Sequence, residues 1–278
     1  MKRLSKWFSI FMVLMLAVAL LPAGSALAKP PTPGDGTPDP LAPVVSGITV
    51  APDPVIYKGP ATVTATLATT CTQDPADPIP CTPLPIVSAE YQLNGLSWLA
   101  MTAQDGAFDS PSEVATVSFT ATVAGKNTVC VRGTSLETTT DVPPIEIPHL
   151  GDAVCVDFLA QYNFKGFYPP VKMDVVNKAK AGRTVPLKWR LTAADGSPIK
   201  DPATFQGVWS YQVDCVTKEV LSNPEMGKAP GKSGPKYQGK GKWHYNWKTD
   251  KKFSGTCRMM YVQFDSGLKS PEVMFQFK

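Results

Sequence analysis

From residue 44 to the last residue, apolar and polar side chains alternate in short stretches that break off at Gly, Pro, Asn or Asp. Side chains that point to opposite faces at successive positions belong to a strand, and no helical period competes with that pattern. In "ATVTATLAT" (61–69), Val63, Ala65 and Leu67 share one face. In "EVATVSFTATV" (113–123), Val117, Phe119 and Ala121 do the same. "GITV" (47–50), "VSAEYQL" (87–93), "NTVCVRG" (127–133) and "AVCVDFL" (153–159) are strand-like as well.

A second series begins near Tyr162, with strand-like stretches inside 181–199, 207–216, 241–249, 256–267 and 272–278. There Val185, Leu187, Trp189 and Leu191 fall on one side, with Lys188 and Arg190 on the other. Strands of this length with regular turn signals predict antiparallel sandwiches of immunoglobulin type. The expected fold class is all-β, with two tandem immunoglobulin-like antiparallel β-sandwiches over 44–160 and 161–278. The chain ends on Val273, Phe275 and Phe277, so its C-terminus is expected to be part of the fold, with no sorting tail.

The other end reads differently. Lys2, Arg3 and Lys6 precede an apolar run from about Phe8 to Leu21, and Ala26 and Ala28 flank Leu27. That is the pattern of a secretory signal peptide with an A-x-A cleavage site, expected over 1–28. The run is shorter than the roughly 20 residues that span a bilayer, so no membrane span is expected in the mature form. Residues 29–43 hold six prolines and read as a semi-rigid linker. Removing Lys2, Arg3 and Lys6 takes the formal charge from +4 to +1, a balance that argues against a dedicated nucleic-acid binder. The expected location is extracellular, secreted or cell-surface associated.

Six cysteines, Cys71, Cys81, Cys130, Cys155, Cys215 and Cys257, lie in a chain bound for an oxidising compartment. No close C-x-x-C pair suggests a metal site, so structural disulfides are expected. Sequence alone does not choose among the pairings; locality suggests Cys71 with Cys81, Cys130 with Cys155, and Cys215 with Cys257.

The stretches "YNFKGFYPPV", "NKAKAGRTVPLKWRL" and "WHYNWKTDKKFSGTCRM", with Cys215 and Cys257, resemble the bacterial secreted module known as the PxKF domain, over about 160–278. The naming motif departs at its last position, where Trp189 follows Pro186, Leu187 and Lys188. Residues 87–135 are similar to bacterial immunoglobulin-like modules that precede such domains. The resemblance implies a non-catalytic β-sandwich pair of the sort carried as an accessory by secreted enzymes and surface proteins.

Candidate chemistry is sparse. The two histidines are His149 and His244, and no His-Glu-x-x-His, G-x-S-x-G or phosphate-binding glycine loop is present; no enzyme is expected. Asp105, Asp109 and Glu113 stand four residues apart in a predicted loop, where oxygen ligands could gather calcium; no other cofactor is expected. Lys228, Lys232, Lys236, Lys240 and Lys242 lie in a Gly- and Pro-rich segment, and from 221 to 260 nine basic residues face Glu225 and Asp250, a local charge of +7. Such a patch attracts anionic polymers. Lys188 is expected to be an outward strand lysine, the alternative being an isopeptide bond. Trp243, Tyr245 and Trp247 alternate at strand period and are expected to be core rather than a ligand platform. The function expected first is a non-catalytic secreted or cell-surface accessory module, structural or adhesive, whose partner is an extracellular protein or polysaccharide. Second comes a carbohydrate- or anionic-polymer-binding module using the lysine-rich loop 228–242, and third a hydrolase with an unseen carboxylate pair. The oligomeric state is left open.

Overall fold

The computed structural model describes residues 39–71, 82–231 and 233–278. The predicted signal peptide, most of the predicted linker, Cys81 and Lys232 lie outside the described residues. The first sandwich comprises β1 (Val44–Ala51), β2 (Val55–Ile56), β3 (Pro60–Ala68), β4 (Ile86–Leu93), β5 (Leu99–Ala100), β6 (Thr102–Ala103), β7 (Ser112–Thr120), β8 (Gly125–Thr138), β9 (Glu146–Leu150) and β10 (Val154–Gln161). The second comprises β11 (Asn163–Tyr168), β12 (Asn177–Ala179), β13 (Thr184–Thr192), β14 (Phe205–Val213), β15 (Glu225–Met226), β16 (Lys236–Tyr237), β17 (Lys242–Lys248), β18 (Cys257–Phe264) and β19 (Val273–Phe277).

The two halves repeat one plan. One sheet of the first runs β1-β3-β7-β6 and the other β2-β10-β8-β4-β5; the second half has β11-β13-β17-β16 and β12-β19-β18-β14-β15. In each, a short early strand (β2 or β12) pairs parallel to the last strand, and the other pairings are antiparallel. This is the immunoglobulin-like arrangement of two facing sheets. Near Met101 the first half switches sheets, since β5 pairs with β4 whereas β6 pairs with β7. The first half adds β9, which pairs with the far end of β8. It carries Pro148 at the sheet edge, where a residue without an N–H is tolerated.

Alternation produces this packing directly. Val63, Ala65 and Leu67 of β3 are fully buried, and on β7 Ala115 is buried while Val117 and Phe119 are half-buried on the same core. The second core is richer in rings: Trp189 stacks on Trp243 at 6.4 Å, and Trp247 meets Phe275 and Phe277 edge-on.

Cys130 and Cys155 sit directly opposite each other on β8 and β10 and are bonded, and Cys215 is bonded to Cys257. Each of these bridges links strands or turns of one sheet. The cross-sheet bridge of antibody domains is different, so neither of these two bridges ties the facing sheets of its half together. Cys71 is also disulfide-bonded.

One residue, Tyr162, separates β10 from β11, and it is buried in the second core. Its ring meets Tyr57 edge-on at 5.7 Å and Phe264 at 6.2 Å, and its hydroxyl donates to Asp265 Oδ1 at 2.9 Å. The Ala194 amide donates to the Tyr57 carbonyl at 2.9 Å, tying the second sandwich to the turn after β2. Tyr57 and Ala124 of the first half pack against the second core.

Candidate functional site

The alternation that buries Trp243, Tyr245 and Trp247 turns Lys242, His244, Asn246 and Lys248 to the other face of β17. On β13, burial of Val185, Leu187, Trp189 and Leu191 turns Lys188 outward and leaves Arg190 half-buried. Residues paired across an antiparallel ladder share a face, so the register assembles the surface. Lys236 on β16 opposes His244, His244 opposes Lys188, and Lys188 opposes Tyr168 on β11. Lys242 opposes Arg190 in the neighbouring row. Lys228 makes a bridge with Lys248, whose amide donates to the Lys228 carbonyl at 2.8 Å.

The turn into β17 explains part of the composition of "GKGK". Gly239, Lys240 and Gly241 all have positive φ, and the Lys240 side chain is exposed. A Cβ at Gly241 would stand 2.6 Å from the Leu191 carbonyl oxygen, so only glycine lets β17 lie this close to β13. Lys236 and Lys242 therefore lie on paired strands rather than in a free loop. Lys240 is at the turn, Lys228 stands beside Lys248, and Lys232 is outside the described residues.

Both acids of this basic segment are occupied elsewhere. Glu225 Oε1 accepts from buried Arg258 at 2.5 Å, and its Oε2 accepts from Lys252 Nζ at 2.8 Å. Arg258 also donates to Ser210 and lies over the Phe253 ring at 4.0 Å. Burial pulls the Arg258 guanidinium below its ordinary value, and the Glu225 charge works against that. The Asp250 side chain accepts from the Lys252 amide. Among the described residues, Lys188, Lys228, Lys236, Lys240, Lys242 and Lys248 have no ion-pair partner. A cleft of about 430 Å³ adjoins this face, lined by Ser210, Glu225, Gly227, Lys228, Trp247 and Lys248 among others. The indole N–H of Trp247 is buried there without a hydrogen-bond partner among the described residues.

The other sequence candidates are placed differently. Glu113 is buried, and its Oε1 accepts from the amides of Asp109 at 3.1 Å and Ser110 at 2.8 Å. Asp105 is exposed, and its carboxylate faces the Ala107 amide at 3.4 Å. Glu113 thus closes the loop onto its own backbone, and among the described residues no three His, Cys, Asp or Glu side chains converge on a common point. The expected result in a calorimeter is an unfolding temperature unchanged between saturating calcium and chelator; a rise with calcium would restore the three residues as ligands. His149 is held between Asp39 Oδ2 at 2.8 Å and Glu137 Oε2 at 3.3 Å. Burial works to raise the Asp39 pKa, but the His149 ring and the Leu41 amide outweigh it and hold the carboxyl below its ordinary value. His149 therefore anchors the start of the described chain to β8 and β9. Lys188 is exposed, as expected of an outward strand lysine.

Sequence reading found the lysines of 228–242 but did not join them to Lys188, Arg190, His244 and Lys248. Period-two alternation marks all of these as outward or edge positions. The missing information was that β13 pairs with β17, a contact between segments more than 40 residues apart in the chain.

The fold and this face together define a pair of immunoglobulin-like β-sandwiches with a basic outer sheet surface. No family model and no curated protein matches the chain. Among solved structures it is similar to the fibronectin(III)-like modules of Clostridium thermocellum CbhA, at 14% identity over 83% of this chain and 93% of that one, with a TM-score of 0.26. It is similar to the adhesin InvE of Yersinia pseudotuberculosis, at 12% identity over 87% of this chain and 61% of that one, with a TM-score of 0.29. Extracellular domains 3–5 of Drosophila OTK give 8% identity over 84% and 61%, with a TM-score of 0.29. Among the described residues no helix is long and apolar enough to cross a membrane.

Proposed function

We propose that the chain is an exported, non-catalytic accessory module, of the PxKF kind its motifs resemble, whose two sandwiches act as one stiff body that presents surface residues to an extracellular partner. The observation that carries this reading is the junction at Tyr162. Separate domains ordinarily move relative to each other unless their interface is apolar and well packed. Here the single connecting residue is itself core, clamped by Tyr57, Phe264 and Asp265. Export is supported by the leader pattern together with the disulfides, which persist in oxidising compartments.

Residual dipolar couplings test the stiffness. Couplings from both sandwiches are expected to fit one alignment tensor, and Tyr162→Ala is expected to require two. Two tensors in the unaltered protein would overturn the reading. The same junction gives a pH dependence. Burial first, and then the Asp265 carboxylate, hold the Tyr162 phenol well above its ordinary 10.0. A raised folded-state pKa means that the stability tied to the neutral phenol is fully present below pH 10 and is lost as pH rises through the folded value. Tyr211 is pushed up to about 12 by burial and by Glu272, and it adds to the same trend. Stability is therefore expected to fall from about pH 10 upward, and less steeply in Tyr162→Phe. Denaturant melts at stepped pH, read with tyrosinate absorbance, check this.

A further inference from the structure

The outer face of β11-β13-β17-β16 is the largest feature that a structural role leaves unexplained. It sets Lys236, His244 and Lys188 in one row across three strands, with Lys242 and Arg190 in the next and Lys248 and Lys228 at the cleft. Strands about 4.8 Å apart and alternate residues about 6.8 Å apart along a strand place Lys236, Lys188, Lys242 and Arg190 at roughly 5–10 Å from one another, with Lys248 at the far end of β17. That spacing is on the scale of one or two sugar units. Six lysines of the surface have no ion-pair partner among the described residues, so their charge is available to a ligand.

We propose that this face binds a linear acidic polysaccharide with one carboxylate on each sugar, laid across the strands and reaching the cleft beside Lys228 and Lys248. The proposal rests on the reading above, in which the chain is a non-catalytic extracellular module, and it names the ligand class of that module. Two observations favour a glycan over a nucleic acid. Single-stranded nucleic acid is held by stacking successive bases on a series of exposed rings; on this face Tyr168 is exposed, but Trp243, Tyr245 and Trp247 are turned into the core, so no such series is formed. The surface is an open sheet edged by a cleft of about 430 Å³ whose lining includes Lys228 and Lys248, so an extended chain crossing the strands meets cations on the sheet and again at the cleft.

The test is affinity electrophoresis of the full chain at low ionic strength in gels containing polygalacturonate, with dextran as the neutral polymer. Titration with a single-stranded DNA oligomer and with poly(glycerol phosphate) runs beside it. The unaltered chain is expected to be retarded by polygalacturonate and not by dextran, in a manner that weakens with added salt. The variant Lys188→Gln, Lys236→Gln, Lys242→Gln, Lys248→Gln changes exposed side chains only. It is expected to bind at least about tenfold more weakly, since each lost cation contact removes part of a salt-dependent affinity. An equal charge change at exposed sites away from this face, Lys178→Gln, Lys200→Gln, Lys218→Gln, Lys278→Gln, is expected to leave retardation within about twofold. Equal weakening in both variants, no retardation of the unaltered chain, or tighter binding to DNA or to poly(glycerol phosphate) would overturn the proposal. Dipolar couplings on the same samples keep the two readings apart. A stiff chain that fails to bind loses only the glycan assignment, whereas a flexible chain that binds loses only the rigid-module reading.

Discussion

Trp243→Ala is expected to destabilise the second sandwich by about 3–5 kcal/mol, the range for deleting a large aromatic from a packed core. The residue is 2% exposed, stacks on Trp189, meets Tyr237 edge-on at 5.2 Å and donates its indole N–H to the Ile199 carbonyl at 3.0 Å. Truncation removes the ring from all three partners and leaves the Ile199 carbonyl unpaired. Domains of this kind have total stabilities of about 5–15 kcal/mol, so much of the margin goes. Urea titration followed by tryptophan fluorescence is the measurement, and a midpoint within error of the unaltered protein would show that Trp243 is not the packing centre assigned to it. Because Tyr237 rests on this ring and Lys236 is its neighbour on β16, binding to polygalacturonate is expected to weaken as well.

Loss of the Cys215–Cys257 bridge is expected to have a comparable effect. The bonded residues are 42 apart in sequence, and on the loop-entropy account closing a loop of that length stabilises the fold by about 4 kcal/mol. Cys130 and Cys155, 25 apart, give about 3.5 kcal/mol on the same account. The second bridge has a further consequence, because Cys257 is buried with Val213 and Met274 and precedes Arg258, whose charge is enclosed by Ser210 and Glu225. Cys215→Ala with Cys257→Ala is therefore expected to lower the unfolding midpoint more than Cys130→Ala with Cys155→Ala. Equal midpoints for the two double variants would mean that loop length does not govern these bridges.

Much of the fold is legible before any coordinates. Period-two alternation located β3, β7, β13 and β17 because each has one dry face and one wet face, and that contrast is what alternation records. Strands such as β2, β5, β6, β15 and β16, each two residues long, carry no period at all. They exist because the tertiary arrangement brings an edge alongside. β9 was obscured by prolines that an edge position accommodates. For the site, residue type announced the lysines, but only strand register could show that Lys188 and His244 stand side by side. Alternation pointed to a second sandwich and locality to a Cys215–Cys257 bridge within it, and both are present, whereas no family model supports the resemblance in 160–278.

The repeated strand plan of the two halves carries a hazard that their cores answer. Tandem units with one topology can exchange equivalent strands during folding and trap the chain in a misassembled state. In β3 the buried positions are Ala61, Val63, Ala65 and Leu67, whereas the equivalent β13 positions are Val185, Leu187, Trp189 and Leu191. A β3 strand docked into the second half would leave a hole where Trp189 belongs, and a β13 strand would not fit among the alanines of the first. Unequal volumes in matching places give each half a way to recognise its own strands, so two copies of one architecture can follow each other in a single chain without trading parts.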